Sequence, residues 1–216
     1  MATYAHAVAG TYQQFCAVAA ALDVVGDRWT LLVVRELLTG PRRYGELILG
    51  LPGVATNLLA DRLRRLEAAG LVAQEPGADA RTRVYRLTER GAELDGVVGA
   101  LARFGLALLP DDADGLAFRA EWLATAVRYL LRPGMLEADL VVRFAVGPES
   151  VVLRLGPAGV AVEPESTPDV VVAGDPAAVV AMLRDSSPAS DERVTVTGDR
   201  ERWARALGSV DVGNPQ

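Results

Sequence analysis

Lysine is absent from this chain of 216 residues, so its 22 basic side chains are all arginine. Cysteine and histidine occur once each, as Cys16 and His6. One of each cannot build a disulfide framework or a Cys/His zinc site within one chain, and a Ser-His-Asp triad would depend on the terminal His6. A glycine loop of the kind that cradles phosphate is also missing. We therefore expect no metal, no cofactor and no enzymatic activity.

Long apolar runs are missing as well. No stretch reaches the roughly 18 residues that span a bilayer, and the chain does not open with a secretory signal pattern. We expect a soluble protein of the reducing cytoplasm, with no membrane partner. Half of the residues are nevertheless hydrophobic, enough to bury a full core in one large or two small domains.

Charge is distributed unevenly along the chain. The net charge of −6 argues against a surface that coats nucleic acid indiscriminately. Residues 1–105 carry 12 arginines and 11 acidic residues, for a net charge of +1, whereas residues 106–216 carry 10 and 17, for −7. Any contact with DNA is therefore expected in the first half.

The segment 53–94, GVATNLLADRLRRLEAAGLVAQEPGADARTRVYRLTERGAEL, follows the order of a winged helix-turn-helix. It contains an arginine-bearing helix, a glycine stop, a hairpin with a basic tip (the wing) and a new helix. Asp27 and Thr88 are expected to act as helix N-caps. The predicted elements of the first half are helices at 11–22, 28–38, 42–50, 55–69 and 88–109, and strands at 71–75 and 83–87.

The helix at 55–69 has two distinct faces. Three leucines at i, i+4 and i+7 spacing predict one buried stripe: Leu59, Leu63 and Leu66. Asn57, Asp61 and Arg64 fall on the opposite face. Because a helix of this kind can enter the major groove with its N-terminal and outward residues, we expect it to read DNA.

The candidate DNA contacts are Arg42, Arg43, Thr56, Asn57, Arg62, Arg64, Arg65, Arg81 and Arg83. Asn57 and Arg64 are the leading base readers, because asparagine can pair with adenine and arginine with guanine, each for roughly 1–3 kcal/mol of discrimination. Arg62 and Arg65 are expected to contact phosphate. The wing pair, Arg81 and Arg83, has the charge to enter an adjacent minor groove.

An alternative interpretation stays open for the arginines of the helix. A run of charge is commonly a solvated face, and here Asp61 and Glu67 could pair with the arginines. The ordered series of helices, wing and closing helix favours DNA binding over this alternative.

The stretch CAVAAALDVVGDRWTLLVVRELLTGPRRYGEL, followed by LADRLRRLEAAGLV and VYRLTERGAEL, closely resembles HxlR-type regulators over about residues 14–105. The resemblance implies a homodimer that packs through the first and last helices of the domain. It also implies double-stranded DNA as the partner, at a two-fold operator read by recognition helices roughly 34 Å apart.

Three further residues fall in this resemblance. Trp29 and Tyr44 occupy motif positions, and at helical spacing we interpret both as structural. Cys16 stands where some HxlR-type regulators carry a redox-sensing cysteine, which makes it a redox candidate. A lone cysteine among alanines and valines is more commonly a buried small hydrophobe, and we expect that state here.

The acidic segment PDDADG, residues 110–115, is predicted to link a DNA-binding and dimerisation domain, 1–109, to a second domain, 116–216. A helix at about 116–131 precedes apolar runs typical of strands, DLVVRFAV, SVVLRLG, GVAVEP, PDVVVA and RVTVTGD. AAVVAMLRD and RERWARAL read as helices, with Asp175 as an N-cap. The predicted fold is mainly α in the first domain and α+β, with a sheet covered by helices, in the second.

The runs ADLVVRFAV, PDVVVAGDPAAVVAMLRD and ERVTVTGDRERWARAL resemble the sterol-carrier-protein type domain over roughly residues 116–208. The resemblance implies an apolar cavity that admits hydrophobic molecules. Residues that could line it are Trp122, Leu123, Val127, Leu130, Met135, Phe144, Met182 and Trp203. The alternatives are plain core packing of these side chains and a dimerisation or scaffold role for the domain.

We therefore expect a homodimeric DNA-binding transcriptional regulator, a repressor, controlled by a hydrophobic small-molecule effector in the second domain. One alternative is a carrier or sequestering protein for an apolar small molecule, with the winged helix used for dimerisation. Another is a winged-helix module for protein contacts, which would show no steep salt dependence.

Overall fold

A computed structural model describes residues 11–79, 81–130, 136–186 and 192–208. His6 and the predicted cavity residue Met135 lie outside the described residues. The chain divides into two compact units, residues 1–98 and 99–216. This division falls earlier in the chain than the acidic segment 110–115, and the domain limits drawn at that segment stay a prediction.

The first unit combines short helices with a small sheet. Its helices are α1 (Ala17–Val25), α2 (Thr30–Leu38), α3 (Tyr44–Gly50), α4 (Thr56–Ala68), α5 (Glu89–Ala92) and the start of α6 (Asp95–Leu106). Its strands are β1 (Arg42–Arg43), β2 (Val72–Pro76) and β3 (Arg83–Leu87). The sheet order is β1-β3-β2, with both pairs antiparallel. This arrangement is the predicted winged helix-turn-helix.

The stripe predicted for α4 is confirmed, because Leu59, Leu63 and Leu66 are all buried. A fully buried leucine contributes roughly 1.5–3 kcal/mol relative to an exposed one, so this stripe fixes which face of α4 points outward. Thr88 is also confirmed as a cap, since its hydroxyl accepts a hydrogen bond from the Gly91 N–H at 3.0 Å.

Several helix limits differ from those predicted. The first helix begins at Ala17 rather than residue 11, because Gln13 has a φ of 53°, outside the right-handed helical region. The closing helix is interrupted between α5 and α6. Asp27 does not cap α2. Trp29 holds the N-cap position with a φ of 77°, and the Asp27 carboxylate binds arginines of α4 instead.

The strand β1 was predicted as the start of a helix. Arg42 and Arg43 pair with Tyr85 and Val84 of β3. Two arginines after a proline carry no strand signal of their own. They are extended because they pair with the edge of β3, and α3 begins only after them.

The second unit is α+β, as predicted. Its elements are α7 (Ala120–Leu130), β4 (Leu140–Val146), β5 (Glu149–Gly156), β6 (Gly159–Val162), β7 (Val170–Gly174), α8 (Pro176–Arg184), β8 (Val194–Gly198) and α9 (Arg200–Gly208). The strands form a five-stranded sheet in the order β6-β5-β4-β7-β8, in which β4 and β7 run parallel and the other pairs antiparallel. Asp175 caps α8 by accepting from the Ala178 N–H at 2.9 Å.

One hydrophobic core holds this unit together. Alternate residues of β4 point inward, and apolar side chains of α7, α8 and α9 pack onto them. At its centre, the rings of Phe144 and Trp203 meet edge to face with centroids 5.8 Å apart. No helix of the described ranges has the length and apolar character needed to cross a membrane.

Candidate nucleic-acid interface

A side-chain hydrogen bond joins the N-terminus of α4 to α3. The hydroxyl of Tyr44, the first residue of α3, donates to the backbone carbonyl of Thr56, the first residue of α4, at 2.7 Å. The α3 start is itself fixed, because Glu46 Oε2 accepts from the Arg43 N–H at 2.6 Å. Thr56 and Asn57 are exposed at the free end of α4. The Asn57 side-chain oxygen accepts from the Leu58 N–H at 2.9 Å, so pairing with adenine would require this bond to be exchanged.

The three arginines of α4 occupy two kinds of environment. The side chains of Arg64 and Arg65 are 68% and 63% exposed, whereas that of Arg62 is only 12% exposed. Arg62 donates to the Arg28 carbonyl at 3.2 Å and contacts carboxylates on both sides. Arg64 and Arg65 therefore have the reach for a ligand, and Arg62 is largely enclosed.

Asp61 lies at the centre of these arginines. Its carboxylate accepts from Arg64, from Arg62 Nη1 at 2.9 Å and from Arg65 Nε at 2.9 Å. The hydrogen bond from Arg64 and the positive charges of Arg65, Arg64 and Arg62 lower the pKa of Asp61, against a smaller opposing effect of desolvation. The carboxylate is therefore ionised at neutral pH.

The wing presents two exposed arginines. Arg81 and Arg83 lie at and beside the tip, where Asp79 shapes the turn by accepting from the Arg81 N–H at 3.0 Å. Across the hairpin, Arg86 binds Glu75 at 2.6 Å. Each of these contacts stabilises the hairpin without using the side chains of Arg81 or Arg83.

Strand pairing brings two of the predicted arginine groups together. Arg43 lies opposite Val84 in the sheet, beside the wing residue Arg83. Arg43 is exposed, and Arg42 is half-buried, with Nη2 donating to Thr39 Oγ1 at 2.9 Å. All nine predicted contacts lie in the first unit, and their contacts with DNA remain predictions.

The sequence pattern indicates one acidic partner of these arginines, Asp61, but not the other, Asp27. The spacing of Asp61 ahead of Arg64 and Arg65, at i+3 and i+4, is a recognisable signal for helix ion pairs, and it was weighed only as an alternative to DNA binding. The Asp27 contact could not be found from local spacing, because Asp27 lies 38 residues before Arg65.

The expectation of a buried Cys16 is wrong. Cys16 is exposed and holds the N-cap position of α1. Its sulfur makes no capping hydrogen bond in the geometry of α1, but the nearby backbone N–H groups of Ala19 and Val18 favour the thiolate and lower the pKa of the Cys16 thiol. The cause is the free N–H groups of the first helical turn, which also favour a negative charge.

The predicted cavity residues of the second unit lie in its core. Trp122 is half-buried, and the other described members are buried together: Leu123, Val127, Leu130, Phe144, Met182 and Trp203. A pocket of about 280 Å³ lies elsewhere, between the segment 109–118 and α8. Its apolar walls include Leu116, Phe118 and Val180, and Arg184 and Arg193 stand among its polar residues.

The chain matches known proteins over its first half. The sequence profile of the HxlR-like helix-turn-helix family covers residues 24–113. The HTH-type transcriptional regulator sll1512 of Synechocystis is 38% identical over 91 residues, which span 42% of this chain and 67% of that protein. YvaP of Bacillus subtilis, another HTH-type transcriptional regulator, is 32% identical over 39% of this chain and 79% of its own length.

Two further regulators are similar to part of this chain. Rv3095 of Mycobacterium tuberculosis, an HTH-type transcriptional regulator, is 42% identical over 42% of this chain, but the match spans only 57% of its length. The reduced form of the regulator YodB from B. subtilis superposes with a TM-score of 0.38 at 28% identity, over 43% of this chain and 93% of that one. The prediction that the protein is not an enzyme is confirmed by the family and the relatives. By its match to the family profile, and to sll1512 and YvaP over two thirds or more of their lengths, the chain belongs to the HxlR-like helix-turn-helix family of transcriptional regulators.

Proposed function

We propose that this protein binds double-stranded DNA as a homodimer at a two-fold operator and represses transcription in the cytoplasm. The observation that carries the proposal is the exposure of Arg64 and Arg65 on α4, together with the exposure of Thr56 and Asn57 at the start of the same helix. The basic wing adds a second contact region on the same unit. Helix and wing are the two parts with which such a unit reads adjacent grooves.

Apolar residues on two helices support the homodimer. Five apolar residues are exposed: Phe15 just before α1, Val18 in its first turn, and Val97, Leu101 and Phe104 at i, i+4 and i+7 on α6. An apolar stripe of this spacing is typical of a helix face that packs against another surface. A second copy of the chain is the occupant that the family resemblance implies.

The dimer proposal can be tested by sedimentation at several protein concentrations. Phe104→Glu should shift the protein to the monomer, because it places a charge within the apolar stripe. Val162→Glu places the same charge at an exposed apolar residue of β6 and should leave the oligomeric state unchanged. A wild-type protein that sediments as a monomer at micromolar concentration would contradict the proposal.

DNA recognition is tested by selecting bound duplexes from random DNA at fixed salt. Recovery of a two-fold motif is expected, with half-sites about one helical turn apart. Arg64→Ala should cost roughly 1–3 kcal/mol and relax selection at one base pair, whereas Arg81→Ala should weaken binding to all sequences. Arg143→Ala, which removes an exposed arginine of the second unit, is the matched control and should have no effect. Failure to recover any two-fold motif would count against the proposal.

Repression is tested on a promoter that contains the selected operator. A dimer seated across the promoter should lower transcript yield in a purified system, and Arg64→Ala should restore it. A rise in transcript on addition of the protein would indicate activation instead.

The sterol-carrier-type resemblance and the pocket beside α8 support a small apolar effector in the second unit. Because the predicted lining residues fill the core, we place the effector in this pocket. The apolar fluorophore ANS is a suitable probe: Val180→Arg should abolish its fluorescence enhancement, and Val162→Arg should not. An effector that changes operator affinity by the usual 1–3 kcal/mol, or about 5- to 150-fold, must bind the two protein states unequally.

A carrier for an apolar small molecule is the second candidate function, because it would bind that molecule in the same pocket. A carrier would bind the apolar molecule without any effect on DNA. Arg64→Ala separates the two functions. In a regulator it should weaken operator binding by roughly 1–3 kcal/mol and leave ANS binding intact, while a carrier shows no operator binding to lose.

A further inference from the structure

We propose that Asp61 and Asp27 act as an internal competitor for DNA phosphates, holding the exposed arginines of α4 in the free protein and thereby sharpening sequence discrimination. The inference rests on the proposed function, since it requires that Arg64 and Arg65 contact DNA. It concerns two acidic residues that make no DNA contact of their own.

The first step is the geometry around Asp61. Its two oxygens divide the arginines between them: Oδ1 accepts from Arg64, and Oδ2 accepts from Arg62 and Arg65, each at 2.9 Å. A carboxylate with two oxygens that receives several guanidinium N–H groups offers the same acceptor chemistry as a phosphate. In the free protein, Asp61 therefore occupies the donors that a phosphate would take.

Asp27 extends this arrangement from outside the helix. It lies in the turn before α2, and its Oδ2 atom is 3.0 Å from Arg65 Nη1 and 3.2 Å from Arg62 Nη1. Arg65 is thus bound by one carboxylate on its own helix and by another 38 residues away. Because the Asp27 carboxylate binds these arginines, it does not cap α2.

Exposure decides which arginines can exchange partners. Arg62 is enclosed and bonds to Asp61, to Asp27 and to the Arg28 carbonyl, so it positions the two carboxylates. Arg64 and Arg65 are about two-thirds exposed, and exposed ion pairs are weak enough to exchange for phosphate. When either arginine moves to DNA, Asp61 keeps fewer cationic partners, and more of its negative charge is felt by the DNA backbone.

This cost depends on what replaces the carboxylate. In the operator complex Arg64 is proposed to contact the neutral edge of a base, whereas in a random duplex it would contact a phosphate, whose negative charge also repels the freed Asp61 carboxylate. A random duplex offers phosphate contacts alone. The carboxylates should therefore weaken non-specific binding more than operator binding, and so raise the ratio of operator to random affinity.

The test compares Asp61→Asn with Glu67→Gln. Both remove one negative charge from α4, but Glu67 makes no ion pair within the described parts of the chain. Affinities for the selected operator and for a random duplex of equal length are measured by fluorescence anisotropy over a series of salt concentrations. Asp61→Asn should raise random-duplex affinity by roughly tenfold, from the release of several partly exposed pairs, and raise operator affinity less.

A second variant distinguishes the loss of these ion pairs from a local folding defect in α4. Asp27→Asn leaves α4 unchanged in sequence and should lower the ratio of operator to random affinity in the same direction. The factor should be smaller, because the variant removes only one of the two carboxylates that bind Arg65 and leaves Arg64 bound to Asp61. Thermal unfolding of each variant identifies any loss of structure.

The outcomes separate this inference from the proposed function. Equal effects of Asp61→Asn and Glu67→Gln would show that net charge alone matters and would overturn the inference. An unchanged ratio of operator to random affinity in both Asp61→Asn and Asp27→Asn would overturn it as well, with the proposed function intact. Absence of duplex binding by the wild type and by every variant would overturn both.

Discussion

The hydroxyl of Tyr44 donates a hydrogen bond to the backbone carbonyl of Thr56 at 2.7 Å, and so joins the first residue of α3 to the first residue of α4. The bond is formed across the turn of the helix-turn-helix. It fixes the end of α4 at which Thr56 and Asn57 are exposed. A side chain that was predicted only to be structural thus positions the proposed DNA-reading end.

We expect Tyr44→Phe to weaken operator binding by about 2- to 10-fold, because one net hydrogen bond contributes roughly 0.5–1.5 kcal/mol to the fixed position of the α4 start. The matched control is Tyr85→Phe, which removes a hydroxyl that accepts from Gln74 Nε2 within the wing hairpin. Fluorescence anisotropy on the selected operator measures both. Equal losses in the two variants would contradict a special role for the Tyr44 bond.

Gly91 is packed against the base of the wing, and its replacement should destabilise the first unit. A Cβ atom at this position would lie 1.9 Å from the Leu71 carbonyl oxygen, which is backbone and already accepts from the Thr88 N–H. We expect Gly91→Ala to lower the free energy of unfolding by about 1–3 kcal/mol, the usual cost of overpacking. Urea unfolding followed by circular dichroism measures this change.

Gly96 is a control position for Gly91, because its replacement by alanine should have the opposite effect on stability. It lies on α6, where a Cβ atom would meet no atom of another element within 4 Å among the described residues. Gly96→Ala should therefore leave packing unchanged and raise the free energy of unfolding by up to about 1 kcal/mol, through the lower backbone entropy of alanine in the unfolded chain. A stabilised Gly91→Ala protein would contradict the close approach of α5 to Leu71.

The parts of the fold that sequence patterns predict are those decided by neighbouring residues. The leucine stripe of α4 and the cap at Thr88 depend on spacings of three to seven residues, and both are present. The strand at Arg42 and Arg43 depends on an edge offered some forty residues later, so its own residues carry no signal for it.

In the candidate site, too, the sequence predicts features set by neighbouring residues and not those set by residues far apart in the chain. Exposure of Arg64 follows from its helix face, which the sequence predicts. The enclosure of Arg62 follows from Asp27 and the Arg28 carbonyl, which reach it only in the folded chain. Similarly, large apolar residues such as Phe144 fit a cavity wall or a core equally well in sequence, and only the packing of helices on the sheet places Phe144 in the core.

Cys16 should titrate at lower pH in the folded protein than in the unfolded chain. The nearby N–H groups of the Ala19 and Val18 backbone favour the thiolate and lower its pKa below the ordinary value of about 8.5. The thiolate is therefore present at pH values at which the unfolded thiol is still protonated. The rate of iodoacetamide alkylation as a function of pH should have its midpoint below that measured in urea.

The alkylation experiment also bears on the redox hypothesis, because the thiolate is the form that reacts with oxidants. Cys16→Ser should abolish labelling, since the chain has no other cysteine. A folded-state midpoint equal to or above that of the urea-unfolded protein would remove the physical basis for a redox-sensing Cys16.

Trp203 should tolerate replacement by phenylalanine better than its burial suggests. Its ring packs edge to face on Phe144, and its indole N–H is buried without an acceptor among the residues that the structure describes. Trp203→Ala should lower the free energy of unfolding by about 3–5 kcal/mol, as expected for loss of a buried aromatic ring. Trp203→Phe should cost less than about 1.5 kcal/mol, because it keeps the ring contact and removes an unpaired donor whose burial is unfavourable by about 1–3 kcal/mol. Denaturant unfolding of both variants, followed by circular dichroism, separates the two contributions. If Trp203→Phe were as destabilising as Trp203→Ala, the indole N–H would have to be hydrogen-bonded in solution, and the core around Phe144 would depend on that bond as well as on apolar packing.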